Sequence, residues 1–290
     1  FIRTLDRKNF AFAEANMFHV HDVDTTHTTA YPFEMEKEFR DLSGSAHRHN
    51  AQHWACNYVG SRGAHPVGAR IHYFLTGSGR SKDILDDILT LAERIPGGAA
   101  NDGHGTSAIS FLCAWERTGE VAYRDKALQC LEDYDIDRIR GGWLAMISAA
   151  FGVFDAMVEY TDLTGDDRFI SNILDFAAMC MGPEIEDNWT YPGGYFRIYA
   201  EALRYGTMAG DNSFDQESFI QGIDRARKRL NEQMAASAPY LPGDQWPAPP
   251  GESAGAFPNF SIDANTLRDL PYLMGSLMAL GREVQRPLSL

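Results

Sequence analysis

Apolar residues along the chain follow two patterns that alternate. In the first they recur every three or four positions. Ile84, Leu85, Ile88, Leu89 and Ala92 share a helical face, as do Phe169, Ile170, Ile173, Leu174 and Ala177, and Phe219, Ile223, Ala226, Leu230 and Met234. That spacing belongs to a helix with one wet side. In the second pattern apolar residues fill nearly every position, most clearly from Trp143 to Tyr160, which predicts a helix buried all round. Each buried-type stretch runs into a short turn closed by glycine: Tyr73–Gly77, Trp115–Gly119, Tyr160–Gly165 and Tyr205–Gly210. The four glycines stand 42, 46 and 45 residues apart, and glycine suits the left-handed residue just past a helix C-terminus.

The repeat unit is therefore inner helix, tight turn, outer helix, long connection. It predicts an all-α fold, an (α/α) toroid of antiparallel helical hairpins. Four hairpins and a fifth inner helix at about 265–282 are expected, which leaves the ring open or incomplete. The toroid domain is expected over 41–290, with 1–40 as a lead-in segment that does not fit the repeat and is partly helical at 33–41. Connections from outer to inner helices are long: 42–65, 96–105, 134–142, 182–194 and 237–264, the last with a Pro/Gly-rich loop at 237–262. In this topology they emerge at one mouth of the ring. Long loops on a compact domain usually carry function, so the working surface is expected at that mouth.

Composition narrows the classes. With 290 residues and 44% apolar content the chain can bury a full core. No run of about 18 apolar residues occurs, so nothing is expected to span a membrane. A net charge of −14 argues against a general nucleic-acid binder, which needs a basic face. The first residue is Phe1, so a processed form or an excised piece is expected. Cys56, Cys113, Cys130 and Cys180 form no CxxC pair, and the last three lie in apolar helical patterns, as buried free thiols do. Cysteine usage therefore leaves the compartment open between cytoplasm, periplasm and the exterior.

The distribution of charge adds chemistry. All nine histidines fall in the first 104 residues: His19, His21, His27, His47, His49, His53, His65, His72 and His104. Residues 42–82 contain no Asp or Glu, yet hold Arg48, Arg62, Arg70, Arg80 and Lys82. A cationic island in an acidic protein points to an anionic ligand. A divalent metal is one use of the histidines, through His47-x-His49, His19-x-His21 and the carboxylates of Asp22 and Asp24. No complete motif such as HExxH is present, and no cofactor is required. Acid–base chemistry is the other use.

The sharpest stretch runs from His47 to Tyr58 and on through Ser61–Pro66. It sets Asn50, His53, Tyr58, Arg62 and His65 on the first mouth loop and its helix entry. These residue types suit β-elimination from a uronic acid. The sugar carboxylate must be neutralised so that the C5 proton becomes acidic, a task for Asn, Arg or His. A Tyr or His takes the proton, and an acid, often Tyr, protonates the leaving oxygen. Other mouth loops add Asp102, His104, Trp189, Tyr195 and Arg197, the aromatics as platforms for sugar faces. The plainer alternative makes Trp54 and Tyr58 core residues and Pro66 a helix start.

His21-Asp-Val-Asp-Thr-Thr-His27, His49-Asn-Ala-Gln-His-Trp54, His65-Pro66 and Ile71-His-Tyr-Phe-Leu-Thr-Gly77 together resemble the central helical domain of the exo-acting rhamnogalacturonan lyase family. The resemblance covers motifs in about residues 17–80 and architecture beyond. It implies an (α/α) toroid flanked by β-sandwich domains. The 290 residues carry no counterpart to those, so the chain is read as a domain fragment or a relative of other specificity. It also implies that His21, Asp22, Asp24, His27, His49, Asn50, His53 and His65 lie near the substrate. The resulting catalytic set is His49, Asn50, His53, Tyr58 and Arg62. Substrate contacts are assigned to His21, Asp24, His27, His65, His104, Trp189, Tyr195 and Arg197. The expected partner is an acidic polysaccharide or oligosaccharide, with neither nucleic acid nor membrane. Two alternatives stay open. A glycoside hydrolase would need two carboxylates about 5–10 Å apart, drawn from Asp22, Asp24, Glu34 and Asp102. A non-catalytic toroid would bind glycan or protein with neither constellation.

Overall fold

A computed structural model of the protein describes residues 5–27, 43–47, 59–60, 65–94, 104–132, 152–181, 194–209 and 215–236. The expected helix at 33–41, the loop at 237–262 and the fifth inner helix lie outside them. The chain is all-α in class. Its elements are α1 (Arg7–His19), a π-helical turn (Val20–Asp24), two-residue strands β1 (Ala46–His47) and β2 (Val59–Gly60), then α2 (Val67–Thr76), α3 (Gly79–Arg94), α4 (His104–Thr118), α5 (Val121–Glu132), α6 (Val153–Thr164), α7 (Ile170–Cys180), α8 (Gly194–Ala209) and α9 (Gln216–Ala236). The strands form an antiparallel ladder, Ala46 opposite Gly60 and His47 opposite Val59. It joins the chain on either side of the histidine-rich stretch 48–58.

The glycine repeat appears as expected. Gly77, Gly119 and Gly165 adopt φ of +68°, +75° and +70°, and their N–H groups close the preceding helices onto Tyr73, Trp115 and Thr161 carbonyls. Gly210 lies outside the described residues. α3 buries Ile84, Leu85, Ile88, Leu91 and Ala92 on one face, with Leu91 rather than Leu89 completing the stripe. α7 likewise buries Ile173, Phe176, Ala177 and Cys180. α4 is buried without interruption from Gly105 to Ala114, as an inner helix should be.

The chain divides into two compact units, one of residues 1–139 with 147–167, the other of 140–146 with 168–290. The first holds α1 to α6. The second holds α7 to α9, where Tyr199, fully buried, donates to the Cys180 carbonyl at 3.0 Å and meets Phe219 edge-on. Cys113, Cys130 and Cys180 are free and buried, and burial pushes the Cys113 and Cys180 thiols up to about 12, so neither is a nucleophile at neutral pH.

Two sequence expectations need correction. The apolar run from Trp143 is not one continuous helix through Tyr160. α6 starts at Val153, because Gly152 stands before it at φ +134°; residues 143–151 lie outside the described part. Nor is every inner helix buried all round. On α2, Ile71, Phe74 and Leu75 are 41%, 53% and 47% exposed. α2 is the first inner helix of its row among the described residues.

Candidate active site

The inner helices of the first unit bring their N-termini together. Gly105 is the second residue of α4 and Gly152 precedes α6, and their backbones nearly touch. A Cβ on Gly105 would lie 1.9 Å from the Gly152 carbonyl carbon, and one on Gly152 would lie 2.7 Å from Gly105. Only two glycines allow that approach. α2 joins at the same end. Pro66 caps it, in keeping with the preference of proline for helix starts. Just before it, His65 Nε2 lies 4.0 Å from Asp155 Oδ2 in the first turn of α6. One turn deeper, Arg70 of α2 forms two parallel hydrogen bonds with Glu159 of α6 at 3.0 and 3.2 Å. Its Nε also lies 3.7 Å from Glu116 of α4. His65 with Asp155 and Arg70 with Glu159 advance in the same direction, so α2 and α6 run parallel.

This end of the unit is thus the meeting point of three helix N-termini, each the positive end of a helix dipole. Asp155 is 4% exposed. A buried carboxylate is costly unless compensated, and Asp155 stands in the first turn of α6, at the positive end of that helix's dipole. Sequence reasoning passed over Asp155. The available signal was an acid within an otherwise apolar run.

Of the assigned residues, His65 is at this mouth, with its side chain 29% exposed. His104 is the first residue of α4, and Tyr195 and Arg197 lie on α8 of the second unit; their side chains are not among those described. His49, Asn50, His53, Tyr58, Arg62 and Trp189 fall outside the described residues, as do Glu34 and Asp102 of the hydrolase alternative.

His21, Asp24 and His27 form a second cluster, held by α1, α2 and α3. His21, on the π-helical turn, is completely buried, and neither ring nitrogen has a hydrogen-bond partner. Its ring meets that of His72 edge-on at 6.2 Å. His72 engages Ser81 Oγ through Nδ1 at 2.7 Å and meets Phe10 face-on and Phe18 edge-on. Burial foremost, then the charges of His72 and Arg80, lowers the His21 pKa. His27 Nε2 engages the His21 carbonyl oxygen at 2.5 Å, and its Nδ1 faces Asp87 of α3 at 3.7 Å. Asp24 lies 3.7 Å from His19, and Asp22 is paired with Arg80 at the start of α3. Asp22 therefore has a cationic partner, and Asp24 has an imidazole beside it. Among the described residues no three His, Cys, Asp or Glu side chains are grouped to hold a metal ion, and no helix is long and apolar enough to cross a membrane.

Residues 1–97 match the family model described as "PcRGLX-like protein C-terminal alpha/alpha toroid domain". The matched span takes in α1, the π-helical turn, the ladder and the α2–α3 hairpin. It agrees with the toroid fold read from the repeat and with the rhamnogalacturonan lyase resemblance. The uncharacterized protein YetA of Bacillus subtilis (strain 168) is 24% identical over 282 residues, covering 82% of this chain and 30% of that protein. The chain thus spans less than a third of that relative's length. No solved structure matches it.

Proposed function

We propose that the chain is the toroid part of a carbohydrate-active enzyme, a polysaccharide lyase that cleaves a uronic-acid-containing, rhamnogalacturonan-like glycan by β-elimination. One observation carries the reading. Three inner-helix N-termini meet at the end where the acid-free, histidine-rich stretch 42–65 enters α2. Their dipoles favour an anion there, and the adjoining loop supplies groups for proton transfer. In the reaction, a base removes the C5 proton, the electron pair forms the C4–C5 double bond, and the C4–O bond breaks with protonation of the leaving oxygen. His53 or Tyr58 would serve as base or acid, with Asn50 and Arg62 neutralising the uronate.

The test is ultraviolet absorbance of the unsaturated uronate product from a panel of acidic polysaccharides that includes rhamnogalacturonan. Absorbance should rise with the wild-type chain and fall at least about 100-fold in rate with His53→Ala, the usual scale for losing an acid–base group. Reducing sugar without new absorbance would replace the lyase reading with a hydrolase. Activity lost to chelator alone would move the chemistry to a metal.

A further inference from the structure

We draw no further inference here: the strongest candidate, the apolar surface that α1 and α2 leave exposed with Phe12, Phe18, Ile71, Phe74 and Leu75, carries nothing because no contact among the described residues shows what covers it.

Discussion

Gly77 and Gly152 do different work, and the difference is measurable. At Gly77 the backbone is left-handed, but nothing lies within 4 Å of where a Cβ would go. Gly77→Ala should cost only the left-handed strain, about 1–2 kcal/mol. At Gly152 both terms apply. The φ of +134° is one that side chains rarely adopt, and the space is filled by the backbone of Gly105. Backbone cannot rotate away as a side chain can, so the helix starts must separate. Gly152→Ala should therefore cost about 3 kcal/mol or more. Urea denaturation of the two variants beside wild type reads the contrast. Similar losses at both positions would mean that the helix starts are not in close contact, and the mouth would lose its structural basis.

At the scale of elements, the parallel inner helices are tied by the Arg70–Glu159 pair. Both side chains are largely buried, at 13% and 20% exposure. Removing one partner of such a pair strands the other, at about 3–5 kcal/mol, whereas replacing both by apolar groups is often nearly neutral. Arg70→Met is thus expected to cost about 3 kcal/mol, and adding Glu159→Met should restore much of it, as a double-mutant cycle would show. Additive losses would place the helix–helix stability in packing alone. This tie also marks where the sequence stops being readable. The turn glycines and the stripes of α3 and α7 were legible because each is a local pattern with a fixed period. α1 was not, since its phenylalanines do not form a single stripe, and Phe12 and Phe18 remain exposed. The break at Gly152 depends on a partner 47 residues earlier, Gly105, which no window of sequence can reveal. Asp155 went unread for the same reason, because His65, which it approaches to 4.0 Å, is remote in sequence. His21 shows the converse. Its motif was conspicuous, but a histidine motif does not say whether the ring faces a ligand or the interior, and this ring is fully enclosed.

At the scale of the whole chain, the histidines are confined to the first 104 residues while acids run on to the far end of the sequence, and this makes mild acid a selective probe. His21 has its pKa lowered first by burial, then by His72 and Arg80, with Asp22 opposing and His27 adding slightly; Glu14 of α1 faces the neighbouring His72. The sign follows from linkage. In the unfolded chain His21 takes up a proton near pH 6.5, whereas in the folded chain it does so only at lower pH. Its contribution to stability is complete above about pH 6.5 and is lost as pH falls from there through the folded value. The carboxylates held below their ordinary range behave the same way but lower down. Asp86 is held there by Lys82 and Arg117 against the effect of burial, and Asp215 by hydrogen bonds from Ser218; both act only below about pH 4. Between pH 7.5 and 5.5, then, the His21 site should dominate. The urea midpoint is expected to fall across that interval in wild type and to change less in His21→Phe, which leaves no ring nitrogen to protonate. Hydrogen exchange should place the lost protection in α1, α2 and α3 and leave α8 and α9 unchanged, since all nine histidines lie at or before position 104. Uniform loss of protection along the chain would instead trace acid sensitivity to its general charge balance, and His21 would be an ordinary buried ring.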